Sequence, residues 1–266
     1  MKHSLFILVL AMSLGACSKG SGSKTDKKVT ITEEQMSAVI SYQTLSCPSR
    51  DCPDAIARLF IINFGDAENS SMCTGSLVGD RLLLTNSHCI DKQTTEKACA
   101  GFYAIFNTKR GGYEVARCSK VLFRHSNAAA RSRALSDRDY ALIELDRSVR
   151  ATPLEIEPNG FAIGDTIHPY VVDHTSLYNA RIVKLNCTVK EDNPEGRDTM
   201  FENCPAIGGN SGSPVLNTAG KVAGVLYAAQ DTVVTEETPY EERIAAPNFS
   251  LGFSMDRILE DLQEWF

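Results

Sequence analysis

The chain has 266 residues, 43% of them hydrophobic and 23% charged, enough for one large all-β domain or two small barrels sharing a cleft. Its 27 basic and 33 acidic side chains give a formal charge of −6. That balance supplies no basic face for a nucleic-acid partner and is what a soluble surface carries.

Lys2 and His3 precede an apolar run from Leu5 to Met12, too short to cross a bilayer and suited to the core of a signal peptide. Ala16 is small enough for cleavage after it. The ending Leu14-Gly15-Ala16-Cys17 resembles the lipobox of bacterial lipoproteins, which implies a signal peptide over residues 1–16 and lipidation of Cys17. An ordinary signal peptide with an incidental cysteine is the alternative. Residues 17–31 then read as the lipidated cysteine and a polar tether, with membrane contact only through the N-terminal lipid. The expected location is outside the cytoplasm: anchored to the bacterial cell envelope, at the outer membrane or cell surface, or secreted.

Thr32-Glu33-Glu34-Gln35 has the form of a capping box, which predicts a short helix within a Cys-containing segment over 32–54. From about residue 55 the texture changes to short apolar runs between turn residues. Strands are predicted at Arg58–Ile62, Gly75–Val78, Arg81–Thr85, Tyr140–Leu145, Thr166–Val172, Ala180–Leu185, Ser213–Leu216 and Val222–Tyr227. Segments 125–137 and 230–248 are polar and read as loops. Met255, Ile258, Leu259, Leu262 and Trp265 recur at helical spacing behind Ser254, a candidate N-cap, so a helix is predicted over about 254–265. Many strands and one closing helix argue for barrels or a sandwich.

Of nine cysteines, Cys17 would carry lipid. The remaining Cys47, Cys52, Cys73, Cys89, Cys99, Cys118, Cys187 and Cys204 form an even set, compatible with disulfides in an exported chain. No close Cys pair faces a second pair or a His pair, so a zinc site is not expected. Neither a metal nor a cofactor is predicted.

Three motifs carry chemistry: Leu83-Leu84-Thr85-Asn86-Ser87-His88-Cys89, with Cys73-Thr74-Gly75-Ser76-Leu77-Val78 upstream; Asp139-Tyr140-Ala141-Leu142-Ile143-Glu144-Leu145; and Gly208-Gly209-Asn210-Ser211-Gly212-Ser213-Pro214-Val215. A serine hydroxyl needs a base within reach, an imidazole titrates near neutral pH, and a carboxylate fixes the imidazole tautomer. In this order the motifs resemble the chymotrypsin-like (trypsin-like) serine proteases, nearest the bacterial glutamyl-endopeptidase branch, over roughly residues 55–265. The resemblance implies an all-β fold: two six-stranded antiparallel β-barrels with a C-terminal α-helix. The protease domain would be 55–266, the first barrel about 55–150 and the second about 151–250. It further implies His88, Asp139 and Ser211 as the catalytic triad and the N–H groups of Gly209 and Ser211 as the oxyanion hole. Cys73–Cys89 matches the family's disulfide beside the catalytic His; Cys99–Cys118, Cys187–Cys204 and Cys47–Cys52 are paired by proximity alone.

His125, His168 and His174 lack a matching frame, Asp137 reads as a loop charge, and the Gly pair upstream with Gly212 beside it favours Ser211 over Ser213. The chain also departs from the family. Pro205 stands where trypsin has an acidic residue, and Ala206, with no His near Leu226, argues against glutamate specificity. A pocket lined by Pro205, Ala206, Leu226 and Ala228 implies small or medium apolar side chains. Asn210 replaces the Asp that pairs with a freed N-terminus, so activity without proteolytic maturation is expected. The expected partners are protein or peptide substrates, met by a monomer. The alternative is a catalytically inactive protease-fold binding protein or adhesin at the cell surface. An α/β-hydrolase esterase is excluded by the triad order and the lack of Gly-x-Ser-x-Gly.

Overall fold

The computed structural model describes residues 44–46, 52–62, 71–90, 99, 101–108, 112–124, 139–174, 179–193, 198–230 and 249–266, with the backbone alone at 44–46, 179, 193, 228–230 and 249. Cys17, Cys47, His125, Asp137, the helix expected after Ile31, the loop expected at 125–137 and, apart from Gln230, which is in a strand, the loop expected at 230–248 lie outside the described residues.

Fourteen strands are described: β1 (Thr44–Ser46), β2 (Ile56–Ile61), β3 (Ser71–Leu77), β4 (Leu82–Thr85), β5 (Phe102–Asn107), β6 (Tyr113–Arg124), β7 (Ala141–Leu145), β8 (Thr166–Asp173), β9 (Asn179–Lys184), β10 (Cys187–Asn193), β11 (Asp198–Glu202), β12 (Pro214–Leu216), β13 (Val222–Gln230) and β14 (Phe249–Ser254). Helix α1 (Met255–Leu262) follows directly. Strands β2-β3-β4-β7-β6-β5 close into a barrel. The second sheet runs β1-β9-β8-β10-β11-β14-β13-β12, and an added β8–β12 pairing closes six of its strands into a second barrel. Among the described strands every ladder but one is antiparallel; β1 adds to β9 in parallel, Thr44 opposite Asn179. The fold is that of two six-stranded antiparallel barrels and a C-terminal helix.

Apolar patterning sets which faces turn inward. Residues of β2 are buried along their whole length, and β7 buries Ala141, Leu142, Ile143 and Leu145, because each strand packs on both of its faces. One core fills the first barrel around Leu59, Leu83, Phe106 and Ile143, and another fills the second around Ile167, Val171, Phe201 and Val215. A third cluster lies between them: Ile56, Leu84, Tyr140 and Leu142 from the first barrel meet Val172, Tyr227, Phe253 and the helix residues Met255, Ile258 and Leu262. This layer holds the barrels in register along the seam where the chemistry-bearing loops converge.

Helix α1 is shorter than the predicted 254–265 and ends at Leu262. Ser254 does not cap it through its side chain; the hydroxyl instead accepts the Phe161 N–H at 3.4 Å. The docking of α1 reaches the site, because the Tyr140 hydroxyl donates to Asp261 Oδ2 at 2.5 Å.

Candidate active site

Strand β4 delivers Thr85 to a short 3-10 turn, Ser87–Cys89, that presents His88. Two bonds fix this turn to the start of β7: Asn86 Nδ2 donates to the Asp139 carbonyl and the Ser87 hydroxyl donates to the Tyr140 carbonyl, each at 2.5 Å. The Cys73–Cys89 disulfide fastens its far end to β3. Asp139 precedes β7 and is buried, 4% exposed. Its Oδ2 lies 2.5 Å from His88 Nδ1 and its Oδ1 accepts the His88 main-chain N–H at 2.9 Å. With Nδ1 donating to the carboxylate, Nε2 keeps its lone pair and is the nitrogen able to take a proton. The imidazole is 35% exposed, so it faces both the carboxylate and the cleft.

Ser211 sits on a tight loop over residues 207–212. Asn210 organises that loop from within, accepting the Ile207 N–H on Oδ1 at 2.9 Å and donating Nδ2–H to the Val172 carbonyl at 2.8 Å. The loop is stitched to the first barrel: Thr74 N–H donates to the Ser211 carbonyl at 2.8 Å and the Thr74 hydroxyl to the Gly209 carbonyl at 3.0 Å. Thr85 in turn donates to the Thr74 carbonyl at 2.8 Å. Gly212, at φ +85°, makes this close approach possible, because a Cβ there would stand 2.1 Å from the Thr74 carbonyl oxygen and 2.2 Å from Thr85 Oγ1. The Gly212 N–H also donates to the Leu226 carbonyl at 2.8 Å, tying the loop to β13. The Ser211 hydroxyl donates to the Tyr227 carbonyl at 3.4 Å.

The disulfide links these arrangements. Cys73 precedes Thr74, which holds the Ser211 loop, and Cys89 follows His88. The three sites predicted from the motifs thus converge on one seam: His88 and Asp139 in direct contact, and Ser211 on a loop hydrogen-bonded to β3, the strand to which Cys89, next to His88, is cross-linked. The sulfurs of Cys73 and Cys89 and a His88 ring nitrogen lie within 4.8 Å of one another, but both sulfurs are consumed in the disulfide and offer no thiolate to a metal. Ser213, the rival serine, is buried and its hydroxyl has no partner among the described residues.

The structure also joins Cys99 to Cys118 and Cys187 to Cys204. Cys52 is disulfide-bonded, and its expected partner, Cys47, lies outside the described residues. Of the expected pocket residues, Pro205, Ala206 and Leu226 are buried, and Ala206 and Leu226 pack in the second-barrel core beside Cys187 and Cys204. For Ala228 the backbone is described, within β13, and the side chain is not.

Sequence reasoning missed a polar cluster beneath the loop. Arg58 on β2 is fully buried, its guanidinium 4.7 Å above the Phe60 ring, and burial lowers its pKa to about 10 against the raising influence of Asp173. Asp173 accepts Arg181 Nε at 3.1 Å. His174 lies against Gly209, and burial, followed by the Arg58 charge, lowers its pKa to about 3. The available signal was a charged residue inside an otherwise apolar strand, at Arg58, and a His directly after an apolar one.

The family model of a trypsin-like peptidase domain matches residues 73–225. Solved structures of the same fold include the serine endoprotease from Yersinia pestis, 14% identical with a TM-score of 0.54 over 81% of this chain. The chain spans 64% of the length of that protein. A Glu endopeptidase is 18% identical at a TM-score of 0.55, covering 80% of this chain and 91% of its own. An inactivated protease paralogue from the scabies mite is 13% identical at a TM-score of 0.55, covering 79% and 91%. No curated protein sequence matches the chain.

Proposed function

The chain belongs to the trypsin-like peptidase family, and on that premise we propose that it is a serine endopeptidase, hydrolysing peptide bonds through an acyl-enzyme intermediate. The observation that carries this reading is the doubly held His88–Asp139 pair beside the Ser211 loop. Ser211 attacks the scissile carbonyl as His88 Nε2 accepts its proton; His88 returns that proton to the leaving amine, and water repeats the sequence to release the acyl group. Asp139 keeps the ring in the required tautomer and balances the imidazolium. The N–H groups of Gly209 and Ser211 would receive the oxyanion. In support, neither donates to a backbone carbonyl among the described residues, and losing one such donor typically costs about 10²–10³ in turnover.

The pocket reading is small or medium apolar side chains, because Pro205, Ala206 and Leu226 bring no charge to the second-barrel wall. A peptide library cleaved after Lys, Arg or Glu would overturn it. Activity without maturation is supported by Asn210, whose two internal bonds organise the loop with no need of a freed N-terminal amine. Full-length protein that reacts only after clipping would contradict this. The anchoring through Cys17, the envelope location and the monomeric state rest on the sequence; metabolic labelling with a fatty acid, lost in Cys17→Ala, tests the first.

A fluorophosphonate probe tests the enzymatic reading. Labelling of wild type and not of Ser211→Ala supports it. A folded wild type that resists labelling and cleaves no peptide substrate would leave the surface binding protein as the function.

A further inference from the structure

His174 stands against the glycine assigned to the oxyanion. A Cβ built on Gly209, at φ +89°, would meet His174 Cδ2 at 2.6 Å and both Cγ and Nε2 at 3.2 Å, so ring and main chain are in direct contact. His174 lies one residue past β8, and the two residues before it are tied down. The Val172 carbonyl accepts Asn210 Nδ2–H at 2.8 Å, and Asp173 accepts Arg181 Nε at 3.1 Å. Residues 172–174 therefore back residues 209–210 from beneath. Both ring nitrogens of His174 are shielded from solvent; neither makes a well-formed hydrogen bond among the described residues, and the Gly209 main chain is the polar group that approaches the ring. Packing alone would be better served by Phe or Leu, since an imidazole stripped of water with its hydrogen bonds incompletely made is destabilising.

We propose that His174 is a positioning residue that, as the neutral imidazole, holds Gly209 with its N–H toward the substrate carbonyl, and that protonation of the ring releases the loop. The proposal rests on the peptidase reading above. Among the described residues, the charge that acts on the ring is Arg58 from β2; Asp173, the residue before it, is engaged by Arg181 of β9, and residues 207–212 carry no acidic or basic side chain. Burial and then Arg58 push the ring toward neutrality, to a pKa of about 3, against a weaker opposing pull from the Gly209 main chain. The clamp is closed at neutral and mildly acidic pH and opens in strong acid.

The test uses full-length wild type, His174→Ala and His174→Phe, each checked for native circular dichroism. Turnover of a chromogenic peptide is measured at pH 8, and hydrogen exchange is followed in the segment 207–212. For His174→Ala the expected result is kcat lower by about 10- to 100-fold with KM little changed, and exchange faster by about tenfold in 207–212 but not in Ala141–Leu145. His174→Phe, which keeps a ring and takes no proton, restores most of kcat. After a brief hold at pH 3 and a jump to pH 8, wild type regains activity with a lag that His174→Phe lacks. A folded His174→Ala with wild-type kcat and exchange overturns the proposal, as does an absent lag in wild type or one shared with His174→Phe. If His174→Ala does not fold, the comparison with His174→Phe decides. Exchange is read without turnover, so an unreactive Ser211, which would sink the peptidase reading, is distinguishable from a failed clamp.

Discussion

Asp139 grips His88 at two points, its Oδ2 2.5 Å from Nδ1 and its Oδ1 accepting the main-chain N–H at 2.9 Å. Asp139→Asn could keep the geometry and invert the tautomer, placing an N–H donor against Nδ1 and moving the proton to Nε2. We predict a fall in kcat of about 10³–10⁴ with little change in thermal stability. Steady-state kinetics beside a melting curve check it; retention of a tenth of the activity would mean that Nε2 is not the base.

Asn210 donates Nδ2–H to the Val172 carbonyl. A carboxylate there has no proton to give and would bring a buried charge against a carbonyl oxygen. Asn210→Asp is therefore predicted to lose about 3 kcal/mol or more of stability and its fluorophosphonate labelling, although it restores the trypsin residue at this position. Denaturant unfolding with parallel labelling measures both, and wild-type values would show that the bond to Val172 carries little.

Gly212→Ala places a methyl group 2.1 Å from the Thr74 carbonyl oxygen at a positive φ. Main chain cannot yield as a flexible side-chain tip does, so the loop must lift from β3. The predicted result is loss of more than about 99% of labelling with a lowered melting temperature. Gly220→Ala, also at positive φ but with nothing near its Cβ position, is the control and should cost only about 1–2 kcal/mol.

Acid should weaken the fold partly through His174. Its folded pKa of about 3 lies below its ordinary value of 6.5, so between those values the unfolded chain binds more protons. The stability this group carries is complete above pH 6.5 and drains away as pH falls toward 3. Urea midpoints at pH 7 and pH 4 should separate more widely in wild type than in His174→Phe. Equal separations would remove His174 from the acid response.

How legible each part was depended on how local its cause is. Strands β4, β7 and β8 are apolar runs that announce themselves, and α1 reads from Met255, Ile258 and Leu262. Strands β6 and β10 do not: Tyr113–Arg124 interleaves Glu114, Arg117 and Lys120 with buried Ala116 and Val121, and its pairing with β7 slips register at Cys118/Lys120 and again at Val121/Phe123. Strand β10 carries Lys190, Glu191 and Asp192 on exposed positions. The residues at 88, 139 and 211 were visible because their types and flanking glycines are particular to the chemistry. The hydrogen-bonding and packing roles of Thr74, Asn210 and His174 were not, because they exist only through partners brought together by the fold, as when Thr74 meets Gly209 across 135 positions. Ser254 looked like a cap by local rule, and a longer-range contact with Phe161 claimed its hydroxyl.

The bond between Cys73 and Cys89 has a bearing on timing. It joins the strand that hydrogen-bonds the Ser211 loop to the turn that carries His88, so a chain still in its thiol form lacks the covalent tie between these two supports. Cytoplasmic reductants keep thiols free, and the bond closes once the chain leaves them. On the proposed reading of an exported peptidase, the bond would close, and the site be completed, only after export. Protein held in dithiothreitol should label slowly and recover on reoxidation; undiminished labelling would refute this.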